Sequence, residues 1–225
     1  MLSYCSGVEM EMSPYMNQLG GVQQKSTADA GVYLTHLIRA GWAKQCHTSV
    51  IAFDIAQFFS SLNYTFLSSY LKKAGLNDQI TNFFNSYHAN RSTTYSWNNF
   101  LSFSFPTNIG VGQGLALSPI LSAIYLSPIL KTYQKCLKNT NKEIPTNILS
   151  YINNGLIISQ EKSFECSLSF LIDSYSVISN LLKDSGLAIE HQKLEVFHFS
   201  RAHSTPNHSI NLTSASRPVL YPKPI

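Results

Sequence analysis

Leu149-Ser150-Tyr151-Ile152-Asn153-Asn154-Gly155-Leu156-Ile157-Ile158-Ser159 sets two apolar runs on either side of Asn153-Asn154-Gly155. Asn and Gly accept the positive φ that a tight turn requires. The stretch is therefore expected to be a β-hairpin with those three residues at its tip. Taken alone, this is ordinary turn chemistry. Two upstream stretches widen its meaning. Ser49-Val50-Ile51-Ala52-Phe53-Asp54-Ile55 is an apolar run with one acid, the pattern of a strand buried on both faces. Between it and the hairpin lies Gly110-Val111-Gly112-Gln113-Gly114-Leu115-Ala116-Leu117-Ser118-Pro119.

Outward from these stretches the chain alternates capped helices with short strands. Ser26-Thr27-Ala28-Asp29 reads as a cap for a helix with Ala30, Leu34, Leu37, Ile38 and Gly41 on one face. Asn63 caps a helix carrying Phe66, Leu67, Tyr70 and Leu71, which Gly75 ends. Asn77 starts another, with Ile80, Phe83, Phe84 and Tyr87 expected inward. Residues 93–97 and 100–105 read as strands joined at Asn98-Asn99. Ser118-Pro119 opens a long helix that Pro128 should kink. A helix is expected over 164–183, stopped by Gly186, and a strand over 194–199. Strand, helices, hairpin, helix, hairpin, helix, strand is an α+β order: an antiparallel sheet backed by helices.

Composition narrows the class. The 225 residues suffice for one domain or one and a fraction. Hydrophobic residues make up 44%, which excludes disorder by composition, and charged residues only 12%, half the usual ~25%. No Asp, Glu, Lys or Arg lies between Arg91 and Lys131. A net charge of +4 is compatible with nucleic acid but too weak to argue for it alone. Cys5, Cys46, Cys136 and Cys166 form no C-x-x-C pair, and the seven histidines are dispersed, so no structural metal is expected. The start of the chain lacks the pattern of a signal peptide, and the expected location is intracellular, nucleus or cytoplasm. Residues 109–130 carry no charge, yet three glycines, two prolines, Gln113 and three serines argue against a membrane span. Residues 202–225, rich in Pro, Ser and Asn, are expected to be a disordered tail.

In their order and spacing, the three stretches resemble motifs A, B and C of the reverse transcriptases of non-LTR (LINE-type) retrotransposons, and residues 186–200 resemble motif D. The resemblance implies a polymerase palm over 49–201, with motif A at 49–61, motif B at 110–119, motif C at 149–159 and motif D at 186–200. It implies a partial fingers segment over 1–48 and a thumb that is essentially missing. The ancestral activity would be RNA-directed DNA synthesis by two-metal nucleotidyl transfer. Its cofactor would be Mg²⁺, and its partners an RNA template, a DNA primer and deoxynucleotides.

The same resemblance assigns residues. Asp54 matches the metal-binding acid of motif A; read alone, it is an acid at a strand end or one paired with Lys or Arg. Asn153 and Asn154 stand where the family carries the catalytic Asp-Asp pair. Ile55 and Phe59 fall at nucleotide-binding positions, Phe59 matching the aromatic that lies under the incoming sugar; read alone, Phe59 is a core aromatic. Gln113 and Gly114 match the motif B loop at the template–nucleotide pair, although Gly112 and Leu115 replace the family's Pro and Ser. The family's Lys near Gln57, Asp near Ser60, Arg near Val22 and Gly near Gln24 are also replaced. Lys193 matches the motif D lysine that would protonate pyrophosphate; read alone, it is a surface lysine.

Mg²⁺ wants anionic oxygen. With Asn153 and Asn154 as amides, the formal charge of the motif A and C triad falls from −3 to −1. Each unit-charge pair at about 4 Å is worth about 4 kcal/mol at an effective dielectric of about 20. Productive two-metal binding is therefore expected to be lost, and the chain is expected not to polymerise. Two other classes stay open: a non-catalytic nucleic-acid-binding module reusing the palm, and a protein-interaction domain or inert remnant.

Overall fold

The computed structural model describes residues 17–73, 75–107, 109–114, 117–139, 146–201, 208–212 and 219–223. Helix α1 (Thr27–Ala43) leads into strand β1 (His47–Asp54), followed by helices α2 (Phe58–Ser61), α3 (Tyr64–Lys73) and α4 (Asp78–His88). Four short strands come next: β2 (Ser92–Thr93), β3 (Ser96–Trp97), β4 (Phe100–Leu101) and β5 (Phe105–Pro106). Then follow α5 (Ser118–Asn139), β6 (Thr146–Tyr151), β7 (Asn154–Glu161), α6 (Phe164–Asp184) and β8 (Glu195–Phe199). Strands β9 (Ile210–Asn211) and β10 (Val219–Leu220) complete the order.

The main sheet has four strands in the order β6-β7-β1-β8, and every neighbouring pair is antiparallel. β1 is interior to it and buried on both faces, as its apolar run requires. Pleating sends alternate side chains to opposite sides. Val50 joins Leu19, Leu149 and Ile158 beneath Leu34 and Leu37 of α1. Ile51 and Phe53 join Ile148, Ile157 and Val196 against α5 and α6, where Tyr125, Tyr133 and Tyr175 are fully buried. Tyr125 donates to the Ser185 carbonyl at 2.5 Å and is pushed up to about 12, with burial the main cause. The architecture is an antiparallel sheet packed by helices, the expected α+β class.

Side-chain caps account for the starts of α1, α3 and α4. Ser26 Oγ accepts from Asp29 N, while Asp29 accepts from Ser26 N at 2.7 Å, a reciprocal cap. Asn63 Oδ1 accepts from Thr65 N and Phe66 N, and Asn77 Oδ1 accepts from Ile80 N.

Two expectations outside the hairpin fail. α4 buries Thr81, Phe84 and His88, leaving Phe83 and Tyr87 exposed with their rings stacked. α4 packs on α3, and the rings of Phe83 and Tyr87 lie on its exposed side, where they meet each other and neighbours close in sequence. The described residues of the tail, 208–212 and 219–223, are ordered as a two-stranded ribbon with Ile210, Leu212 and Leu220 in the core. Three apolar side chains anchor a segment whose average composition suggests disorder. The remainder of 202–225 and the start of the chain, 1–16, lie outside the described residues. No helix among the described residues is long and apolar enough to cross a membrane.

Two buried histidines make stability pH-dependent. His198 is fully buried; its Nε2 donates to the His208 carbonyl at 2.9 Å, so Nδ1 accepts from the Ser49 hydroxyl at 2.9 Å. Burial holds His198 below its ordinary value of 6.5, and burial, aided by Arg91, does the same for His88. The unfolded chain thus binds more protons just below pH 6.5. Stability should be complete above that value and fall as pH drops from it toward the folded values. Urea unfolding is expected to show a lower midpoint at pH 5.5 than at pH 7.5; equal midpoints would contradict the neutral assignment.

Candidate active site

Asp54 is the last residue of β1 and stands in register with Asn154, the first residue of β7. Its position is clamped from both sides through the backbone. Ile55 N donates to Asn153 O at 2.9 Å, and Glu190 N donates to Asp54 O at 2.8 Å. Ala56 N donates to Ala188 O at 2.8 Å, and Ile55 bridges to Ile189. The β6–β7 hairpin and the loop leading into the short 3-10 turn His191–Lys193 therefore meet at one carboxylate.

The side chains there form one line of hydrogen bonds. Asn153 Nδ2 donates to Asp54 Oδ1. Lys193 Nζ donates to Asp54 Oδ2 at 2.6 Å, across 139 positions of sequence. Asn154 Nδ2 donates to Asn153 Oδ1 at 3.3 Å. The carboxylate side chain is only 13% exposed, whereas that of Lys193 is 65% exposed. The hydrogen bond to Asp54, and then its charge, raise the Lys193 ammonium above its ordinary range. Asp54, Asn153, Asn154 and Lys193 are thus brought together, with one negative and one positive charge among them. Both descriptions of Asp54 hold at once: it lies at the strand end opposite the hairpin tip, and it is paired with a lysine.

This donor set does not suit a pair of divalent ions. It offers one carboxylate, and both of that group's oxygens already accept from protein donors. The side-chain oxygen of Asn153 accepts from the Asn154 side-chain amide. Among the described residues, no three His, Cys, Asp or Glu side chains cluster as metal ligands.

The hairpin turn differs from its sequence reading. Tyr151 pairs with Asn154, so the two central residues are Ile152 and Asn153, and the positive φ, 55°, falls on Ile152. A β-branched residue pays steric strain there. Partial burial of Ile152 against the main core and the close approach of Gly20 to the Ile152 backbone hold it in place. Gly155 is a strand residue paired with Phe53, whose ring lies across it where a Cβ would go.

Of the other assigned residues, Ile55 adjoins this tip through its backbone. Ile55 is buried, and Phe59 packs partly buried with its ring edge-on to Phe58 at 5.3 Å. Val111 N donates to Phe59 O at 2.7 Å and Gly110 N to Leu62 O at 3.0 Å, tying the turn after β1 to the glycine loop. Gly110, with φ 85°, lies against the Ser60 backbone. Gln113 and Gly114 are exposed, Gly114 with φ 87° and open space beside it. Leu115, the position of the family serine, lies outside the described residues.

Asn17-Gln18-Leu19, inside the stretch 1–48 read as a partial fingers segment, lies beside the hairpin and supports the site. Ser150 N donates to Asn17 O and Leu19 N to Ser150 O, so this segment runs along the outer edge of β6. Gln18 is buried and accepts from Ser127 Oγ at 2.8 Å. A buried glutamine between Asn and Leu carries no periodic signal.

A family model described as reverse transcriptase (RNA-dependent DNA polymerase) matches residues 9–221. No curated protein matches. Among solved structures, apo telomerase from Candida tropicalis truncated from its C-terminal domain is 16% identical with a TM-score of 0.62, over 90% of this chain and 41% of that one. Telomerase from Candida tropicalis with a TWJ fragment of telomeric RNA is 15% identical with a TM-score of 0.64, over 90% of this chain and 33% of that one. Telomerase from Candida albicans, also with a TWJ fragment of telomeric RNA, is 12% identical at a TM-score of 0.54, over 92% and 34%. At such identities the likeness is one of fold, and this chain spans less than half the length of each of those chains.

Proposed function

This chain belongs to the reverse transcriptase (RNA-dependent DNA polymerase) family, and we propose that it is a non-catalytic member of non-LTR type. Its palm would span 49–201, and its motif A and motif C positions would be Asp54, Asn153 and Asn154. The observation that carries the reading is the pairing of Asp54 with Lys193 at 2.6 Å and with the Asn153 amide. An internal cation and an amide donor satisfy the carboxylate that would otherwise need a metal ion. Charge supports this in both directions: two unit charges fewer attract Mg²⁺, and one positive charge repels it. Ile55, Phe59, Gln113 and Gly114 would mark the former nucleotide and template face, and Lys193 would serve as a structural counter-ion in place of a proton donor.

The test is primer extension on an RNA template with Mg²⁺ or Mn²⁺. No templated product is expected from the unmodified chain, and a product would overturn the reading. A non-catalytic interaction module reusing the palm is the companion reading. The exposed aromatic residues between 92 and 106 favour a protein partner for it over nucleic acid.

A further inference from the structure

Three histidines from distant parts of the chain converge on one ring, at the other end of β1 from Asp54. His47, the first residue of β1, stacks on Phe164 of α6 with ring centroids 4.1 Å apart. His198 of β8 meets the same ring edge-on at 5.4 Å, and His208, two residues before β9, lies tilted against it at 5.2 Å. His47 is half-buried and His208 exposed, whereas His198 is fully buried. The neighbours of His198 come from three places: Ser49 on β1, Phe164 on α6 and the chain at His208.

The last of these is fastened most lightly. β1 joins β8 along five paired residues, Thr48 to Ala52. The β9–β10 ribbon is tied to β8 by single links. Lys223 N donates to Val196 O at 2.9 Å, Pro222 bridges to Val196, and the His208 carbonyl accepts from His198. The Lys223–Glu195 ion pair, at 3.4 Å, is exposed on both sides and holds little. Burial of Ile210, Leu212 and Leu220 supplies the rest.

A second proton on His198 would place a charge in this buried setting. The groups around it are His47 and Ser49 on β1, and Ser159 and Glu161 opposite them on β7. α6 adds Phe164 and the exposed Glu165 of its first turn, and the tail adds His208. The hydrogen bonds of His198 go to Ser49 and the His208 carbonyl, not to either carboxylate. His208 opposes a charge on it.

We propose that the ribbon is an acid-released latch: protonation of His198 frees residues 208–212 and 219–223 from β8 and α6 while the four-stranded sheet stays folded. Burial holds docked His198 below 6.5. Once the ribbon leaves, water reaches the ring and the ordinary value returns. The released state therefore binds the extra proton below pH 6.5, and the docked state is favoured above it. One proton makes release up to about tenfold easier at pH 5.5 than at pH 7.5. Release bares the outer edge of β8 at Val196, a pairing surface present only in acid.

Amide hydrogen exchange on the full chain, expressed as protection factors at pH 7.5 and 5.5, tests the proposal. The Lys223 amide reports docking directly, because it donates to Val196 O. Its protection is expected to fall up to about tenfold in acid and to stay below that of β1 and β7 at both pH values. No fall overturns the proposal. Protection equal to that of β1 and β7 at pH 5.5 also overturns it, since ribbon and sheet would then unfold together. In His198→Gln the side-chain amide can still donate to the His208 carbonyl but takes up no proton, so the fall at Lys223 is expected to vanish. A fall that persists in this variant overturns the latch. The measurement on the unmodified chain stands whether or not the variant folds.

Discussion

Asn153→Asp combined with Asn154→Asp is expected to destabilise the chain in EDTA and to make it responsive to Mn²⁺. Asn153 Nδ2 now donates to Asp54 Oδ1. The substitution removes that donor and sets a carboxylate against a carboxylate. Like charges this close are costly even when one of them takes up a proton. A loss of about 2 kcal/mol follows, which lowers Tm by roughly 4–8 °C for a chain of this size. With three acids at the tip, Mn²⁺ has a hard anionic site to bind. Saturation a hundredfold above Kd returns about 2.7 kcal/mol, enough to restore the loss. The unmodified chain should show no such rise. Differential scanning calorimetry in EDTA and in Mn²⁺ reads both effects. An equal Mn²⁺ response in the two chains would show that the amides are not what excludes the ion.

Gly155→Ala should produce the second large change. The ring of Phe53 occupies the space that a Cβ would need, and Phe53 is itself buried in the sheet core. The ring cannot swing into solvent, so the strand or the ring must shift, at about 2–3 kcal/mol for overpacking. Urea unfolding measures it. Gly31→Ala is the control: it sits mid-helix in α1 with nothing near the new methyl and should stabilise by about 0.5–1 kcal/mol. Adding Phe53→Leu to Gly155→Ala should recover part of the loss, a non-additivity that a backbone effect at Gly155 would not show.

These cases mark where sequence and structure part. β1 was legible because its run of apolar residues is dictated by burial on both faces. The capping residues Ser26, Asn63 and Asn77 were legible because their partners are two or three residues away. The hairpin was legible as a hairpin, but its centre was not. Local chemistry favours Asn154-Gly155 for the turn, whereas register is decided by Ile157 facing Ile51 and Ile148 across the sheet. Core pairing outweighs the strain at Ile152. The inward face of α4 and the anchored tail were misread because both depend on which neighbours arrive. Lys193 reaches Asp54 only once β8 is beside β1, a long-range pairing that no local pattern announces.

The filling of the Asp54 site by Lys193 and Asn153 is tested most directly by paramagnetic broadening. The side-chain amide resonances of Asn153 and Asn154 would be followed in the unmodified chain as Mn²⁺ is added. Unchanged intensities are expected, because both Asp54 oxygens already hold protein donors. Selective loss of those two resonances at stoichiometric Mn²⁺ would mean that an ion displaces the lysine and binds there, contradicting the assignment.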